Sequence, residues 1–116
     1  MKRILTLLIF IFSILTFEAS AQKIKYEKSS FEVYGNCDMC KTLIETTARS
    51  IDGVKMAKWN STKKTMKVKF NKDLTSIDEI QKAISSIGYD TAKHRAADEV
   101  YEKLHYCCKY DRKPKK

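Results

Sequence analysis

The spacing of apolar positions changes several times along this chain, and each change marks an element. Phe31-Glu32-Val33-Tyr34 alternates with period two and is rich in β-branched and aromatic residues, predicting a first strand with Phe31 and Val33 buried. The polar residues before it, 22–29, read as a loose lead-in. From Asp38 the period lengthens: Cys40, Leu43, Ile44, Thr47, Ala48 and Ile51 recur at three- and four-residue steps, predicting an amphipathic helix that ends before Asp52-Gly53. Val54 to Asn60 returns to strand character with Ala57 and Trp59 inward, and the phase slip at Val54 and Met56 predicts a bulge. Thr65 to Phe70 alternates cleanly and completes a hairpin. Ser76-x-x-Glu79 is a capping box opening a second helix with the stripe Ile77, Ile80, Ala83, Ile84 and Ile87, closed by Gly88. Tyr89 to about Ala96 is expected to be a fourth, polar edge strand.

This order is α+β: a ferredoxin-like βαββαβ sandwich, with a four-stranded antiparallel sheet and two helices on one face. In it strands one and four are antiparallel neighbours, which places Tyr89 beside the end of strand one. A short helical extension follows. Asp98 could cap it and Val100, Tyr101 and Leu104 form its stripe, ahead of His105, Cys107, Cys108 and a basic tail expected to fray.

The N-terminus follows a different pattern. Lys2 and Arg3 precede an apolar run of 14 residues, Ile4 to Phe17, and then the small-x-small signature Ala19-Ser20-Ala21. Residues 1–21 therefore read as a secretory signal peptide; the run is shorter than the roughly 20 residues of a membrane span, so no stable insertion is expected after cleavage. The expected organisation is signal 1–21, lead-in 22–29, domain 30–96 and extension 97–116, in a secreted protein of the bacterial periplasm. Without Lys2, Arg3 and Glu18 the net charge is +8 rather than +9. That charge favours acidic partners only weakly, because lysine runs are usually solvated faces. Lys55, Lys58, Lys63, Lys64, Lys67, Lys69 and Lys72 nevertheless crowd the hairpin, where an acidic exporter or efflux component could dock.

All four cysteines, Cys37, Cys40, Cys107 and Cys108, lie in the exported part, as two tight pairs rather than a dispersed disulfide framework. Cys37-x-x-Cys40 falls on the loop and first turn of the first helix, where unpaired N–H groups stabilise a thiolate. Thiolates are the ligands that soft ions prefer. Two local thiols make an open, low-coordinate site rather than a closed four-ligand one, so Cu(I) is the first expectation, with Zn(II), Cd(II) and Hg(II) as alternatives. Met39, between the two cysteines, reads as a buried loop anchor rather than a thioether ligand. The chain after strand four is just long enough for Cys107 and Cys108 to return to this site, so they could join it, form a separate site or serve structure. His105 and His94 read as surface histidines.

Four stretches together carry a family resemblance: Cys37-x-x-Cys40-x-x-x-Ile44-Glu45, Gly53-Val54-x-x-Ala57-x-Trp59-Asn60, Met66-x-Val68-x-Phe70-Asn71 and Ile84-x-x-Ile87-Gly88-Tyr89. Over about residues 30–95 the chain resembles the heavy-metal-associated domain family, which includes copper chaperones, modules of metal-exporting ATPases and a periplasmic mercury-binding protein. The resemblance implies that Cys37 and Cys40 bind one soft metal ion and pass it to a metal exporter or resistance partner, with Tyr89 at the site and no enzyme activity. The chain departs from the usual motif, which has Gly-Met-x before the first cysteine; here Tyr34-Gly35-Asn36 stands there and the methionine is Met39.

Other classes fit less well. A thioredoxin-like thiol-disulfide oxidoreductase is the runner-up, but it requires a proline facing its cysteines, and the only proline is Pro114. Covalent haem attachment would need His at position 41, which is Lys. No run matches the aromatic-rich motif of an RNA-recognition fold, so no nucleic-acid partner is expected. A scavenger or sensor that holds metal without delivering it uses the same residues.

Overall fold

Residues 23–114 are described in a computed structural model of the chain. The expected signal peptide and the last two tail residues lie outside the described residues. The elements are β1 (Glu27–Glu32), α1 (Asp38–Arg49), β2 (Val54–Asn60), β3 (Thr65–Phe70), α2 (Ile77–Ser86) and α3 (Asp98–Glu102), followed by one 3-10 turn, Tyr106–Cys108. The three strands form an antiparallel sheet in the order β1-β3-β2. β2 and β3 begin and end where the periodicity predicts, and the register slips between Val54 and Met56, the expected bulge. β1 starts earlier than expected. Residues 27–29, read as lead-in, pair with Phe70 to Val68.

The fourth strand is largely absent. Among the described residues it is one bridge, Val33 opposite Thr91, flanked by hydrogen bonds from Tyr34 N to Asp90 O (2.9 Å) and from Ala92 N to Glu32 O (3.1 Å). Local bonds replace the rest of the ladder. Thr91 N donates to His94 O at 2.8 Å, and the Asp90 carboxylate accepts from Ala96 N at 2.7 Å, curling the segment away from β1. The antiparallel placement still sets Tyr89 beside the start of α1, as the expected topology requires.

Both helices pack by their apolar stripes, with polar exceptions. In α1 the buried positions are Cys40, Ile44, Glu45 and Ala48, whereas Leu43, expected inward, is exposed. Glu45 is buried because it serves three donors: Lys41, Arg49 (2.9 Å) and the Trp59 backbone N–H (2.9 Å). Trp59 in turn donates its indole N–H to Val33 O at 2.9 Å, so α1, β2 and the end of β1 are tied through one tryptophan. A Cβ on Gly35 would lie 3.1 Å from the Trp59 ring and 3.2 Å from Ile44, closer than ordinary contact, so any larger residue in the loop into α1 would press on both. In α2, Ser76 caps by accepting from Glu79 N, Ile80 and Ile84 are fully buried, and Gln81 is buried because it accepts from Lys93 N.

The C-terminal segment does not fray after Cys108. The Tyr110 hydroxyl donates to Gly88 O (2.9 Å) and accepts from Asp90 N (2.7 Å), filling positions that a fourth strand would have left unpaired. Arg112 grips both oxygens of the buried Asp90 carboxylate (2.9 and 2.8 Å) and bonds Asp98 (2.8 Å). Upstream, Leu104 covers Gly88, whose φ of +114° ends α2; a Cβ there would sit 2.9 Å from Leu104.

Burial pushes the carboxyls of Glu45 and Asp90 up, but their bonds outweigh it: Lys41, Trp59 N–H and Arg49 for Glu45, and Arg112, Ala96 N–H and Arg95 for Asp90. Both are held below their usual values. Their stabilisation is therefore complete above the unfolded pKa values, about 4.3 for Glu and about 3.9 for Asp, and is lost as pH falls through the lower folded values. Urea unfolding should show no change from these two carboxyls between about pH 5 and pH 7, below the midpoint at which the Cys37 thiol titrates, and falling stability below about pH 4. The Glu45→Gln, Asp90→Asn double variant should be weaker at pH 7 and show a shallower acid decline; an unchanged decline would mean other groups govern it.

Candidate metal centre

The site forms where β1 gives way to α1. Cys37 is the N-cap of α1, with extended backbone (φ −127°, ψ 178°), and Cys40 lies one turn in, fully buried on the helix's inner stripe. The Cys37 and Cys40 sulfurs are 3.5 Å apart. The 3-10 turn brings the second pair to the same place: Cys37 Sγ is 3.3 Å from Cys107 Sγ and 3.7 Å from Cys108 Sγ. Cys37, Cys40 and Cys108 offer sulfur atoms that all lie within 4.8 Å of one another. The feasible return of the tail thiols is thus realised, and all four cysteines are free thiols.

The four are not equivalent. Cys40 and Cys108 are fully buried, whereas Cys37 and Cys107 are partly exposed. The backbone N–H of Cys40, at the open end of α1, is the main reason that the Cys37 thiol is lowered to about 7; burial opposes it, and bonds from Cys107, Cys40 and Cys108 add to it. Cys108 is pushed well up, by burial first and then by Cys40 beside it. Cys107 is raised by its bond to Cys37. Negative charge in the reduced cluster therefore gathers on Cys37.

Tyr89 stands behind the sulfurs. Its side chain is fully buried, and among the described residues its hydroxyl has no hydrogen bond of normal geometry. Burial first, and then the Cys108 and Cys40 thiols, hold its proton on. An all-sulfur donor set with a spare buried O–H behind it fits a soft ion and its thiolates.

Met39 is 46% exposed and is not the buried anchor expected. His94 bonds Asp78 at 2.8 Å, as a surface histidine does. His105 is exposed, yet its Nδ1 lies 3.2 Å from Cys107 Sγ. Lys41 points away from the thiols, bonding Glu45 and Trp59 O. Sequence reasoning missed Tyr110 and Arg112. The signal available was an aromatic and an arginine just after the Cys-Cys pair in a tail otherwise dominated by lysines.

These features define an α+β domain with a soft-metal thiol site at a helix N-terminus. Residues 36–90 match the model of the heavy-metal-associated domain. The chain is 34% identical over 68 residues to the copper chaperone CopZ of Bacillus subtilis strain 168, covering 58% of this chain and 99% of that protein. The chain belongs to the heavy-metal-associated domain family. It is also 33% identical over 89 residues to a copper-exporting P-type ATPase of Staphylococcus saprophyticus, but spans only 11% of that protein's length. Among solved structures it is similar to a CopZ metallochaperone (TM-score 0.55, 27% identity, 57% of this chain and 100% of that one). A second is the N-terminal domain of a potential copper-translocating P-type ATPase of Bacillus subtilis in the Cu(I)-loaded state (TM-score 0.55, 29% identity, 58% and 85%). Oxidized MerP of Ralstonia metallidurans CH34, at 21% identity and TM-score 0.55 over 60% of this chain and all of that one, shares the fold. The family match ends at Asp90, so Cys107 and Cys108 lie beyond it.

Two outcomes test this electrostatic picture. Alkylation of the reduced metal-free chain should modify Cys37 first, with a rate that rises through a midpoint near pH 7, while Cys108 stays protected; peptide mass spectrometry reads both. Tyr89→Phe removes a buried unsatisfied donor and should raise metal-free stability by up to about 1–3 kcal/mol. The same variant should gain less or nothing when metal-loaded, if the hydroxyl serves the bound thiolates.

Proposed function

We infer that this protein is an exported soft-metal carrier that binds one ion, Cu(I) first, through Cys37 and Cys40, with Cys108 beside them, and passes it to a metal exporter or efflux protein. The observation that carries the reading is the meeting of Cys37, Cys40 and Cys108 sulfurs within 4.8 Å at the end of a helix. A thiolate already favoured at Cys37 gives an arriving cation a charged first contact, and the buried Cys40 then closes on it. Cu(I) needs few ligands and exchanges them by sharing, which suits delivery; Zn(II), Cd(II) and Hg(II) also take thiolates. The likeness to a copper chaperone and to a Cu(I)-loaded ATPase domain supports copper and an exporter as recipient.

Export rests on the charged start, apolar run and Ala19-Ser20-Ala21, which point to the bacterial periplasm after cleavage. Among the described residues no helix is long and apolar enough to cross a membrane. Domain 30–96 would bind the metal, extension 97–116 would cover it, and the hairpin lysines would dock an acidic recipient. A second reading is retention without delivery. It is favoured by the Cys107-Cys108 turn lying against the metal loop, which closes a site that two thiols alone would leave open.

Cu(I) titration of the reduced chain against a chromophoric chelator tests the central claim. Cys37→Ser and Cys40→Ser should each weaken binding by more than about 100-fold, beyond the 10–100-fold typical of residues that only orient ligands. Parent-like affinity in both would end the metal reading and leave dithiol chemistry.

A further inference from the structure

The four sulfurs are arranged from inside to outside. Cys40 and Cys108 have no exposed surface, while Cys37 and Cys107 are partly open. Cys37 is the hub, 3.5 Å from Cys40, 3.7 Å from Cys108 and 3.3 Å from Cys107. Cys107 and Cys108 are themselves 3.9 Å apart. An acceptor therefore meets this site at Cys37 and Cys107, not at the buried pair.

The segment that carries the outer and inner tail sulfurs is fastened on both sides by contacts that use no thiol. Before it, Leu104 packs on Gly88, and the Tyr101 hydroxyl bonds Tyr110 O at 2.6 Å. After it, Tyr110 bridges Gly88 and Asp90, and Arg112 grips Asp90. The turn is thus held over the metal loop whether or not an ion is present.

We propose that residues 97–113 form a clasp: Cys108 gives the ion a third, buried sulfur ligand that retains it, and Cys107 is the exchange ligand through which it enters and leaves. This rests on the reading that Cys37 and Cys40 bind the ion. The ligand class is a soft ion that accepts three thiolates, with Cu(I) and Hg(II) as its representatives. In the exchange, a bond forms from the metal to Cys107 Sγ and the bond to Cys108 Sγ breaks, while Cys37 stays bound. The Cys107 proton passes to water and the departing Cys108 sulfur takes one back, with no change of oxidation state. The ion is then held by Cys37, Cys40 and Cys107, with the two surface sulfurs open to a recipient; as the recipient's thiolate bonds the metal, the bond to Cys40 Sγ breaks and that sulfur takes up a proton from water. The swap is between adjacent residues, so it needs a turn of one dipeptide rather than release of the whole clasp.

The test is the rate at which bathocuproine disulfonate, in excess, captures Cu(I) from the loaded, reduced full chain, and the rate of loading in the reverse experiment. Cys107→Ser should slow capture and loading together by about tenfold or more, because an exchange ligand serves both directions. Cys108→Ser should speed capture by about tenfold and weaken binding, as loss of a retaining ligand must. Arg112→Gln should speed capture with one bound ion unchanged; where circular dichroism shows it unfolded, Tyr110→Phe takes its place. Faster capture in Cys107→Ser, or unchanged rates in Cys108→Ser and the anchor variant, would overturn the clasp. Those results with Cys37→Ser and Cys40→Ser still failing to bind leave the metal site standing; binding by the latter two would remove the underlying reading instead.

Discussion

The Asp90 carboxylate is the constraint on which the arrangement of the site depends. It is 6% exposed and can be charged there only because Arg112 and the Ala96 N–H satisfy both its oxygens. A buried carboxylate left without partners costs far more than a surface pair gains, so wherever Asp90 is buried and ionised, Arg112 must come to it. Drawing Arg112 in draws Tyr110 in, and Tyr110 fixes Gly88 and Asp90 through its hydroxyl while stacking with Tyr89 at 6.0 Å. The two cysteines immediately before Tyr110 then have little choice of place. The same carboxylate curls residues 90–96 away from β1. One buried charge therefore both shortens the fourth strand and delivers the second pair of thiols.

The cluster so assembled has a division of roles that follows from burial and the helix end rather than from residue type. Four cysteines would titrate alike in water. Here only Cys37 is helped by an N-terminal N–H, and Cys108 is hindered by desolvation, so one thiolate and its protonated neighbours share hydrogen bonds at 3.3 to 3.7 Å. That is a lower-energy resting state than several close thiolates, whose mutual repulsion would need a counter-ion. Lys41 and Lys109, the lysines next to Cys40 and Cys108 in sequence, are committed to Glu45 and Glu102, so neither is the counter-ion for further thiolates. A soft, polarisable cation that displaces those protons would supply that charge.

Much of this was legible beforehand where one local rule governed. β2, β3, the bulge at Val54–Met56, the Ser76 cap and the burial of Ile80 and Ile84 follow from period, turn chemistry and capping. Cys37-x-x-Cys40 and its place at a helix start were equally plain, and strand-order reasoning put Tyr89 beside it. What was not legible depended on pairing between distant side chains. Leu43 was expected inward because apolar spacing cannot show that Glu45, with three donors converging on it, takes the inner flank. The fourth strand was overextended because its polar residues read as an edge, whereas Asp90 and Thr91 bond within their own loop. The tail was read as frayed because Lys109 to Lys116 is basic, and no periodic signal marks Tyr110 and Arg112 as anchors. The return of Cys107 and Cys108 could be bounded by chain length but not decided by it.

Holding an ion and giving it up make opposite demands on a site, and depth is one way to meet both. Two thiols on an exposed loop exchange readily and retain poorly; four closed ligands retain well and exchange slowly. Fixing the clasp by Tyr110, Arg112 and Leu104, none of which touches the metal, lets the ligand set differ in burial without any ligand having to hold the fold together. The anchors then hold the turn over the metal loop, and the sulfurs carry the exchange. In the proposed reading, the adjacency of Cys107 and Cys108 is what couples the two, since turning one dipeptide exchanges a buried ligand for an exposed one while the Asp90–Arg112 grip stays intact.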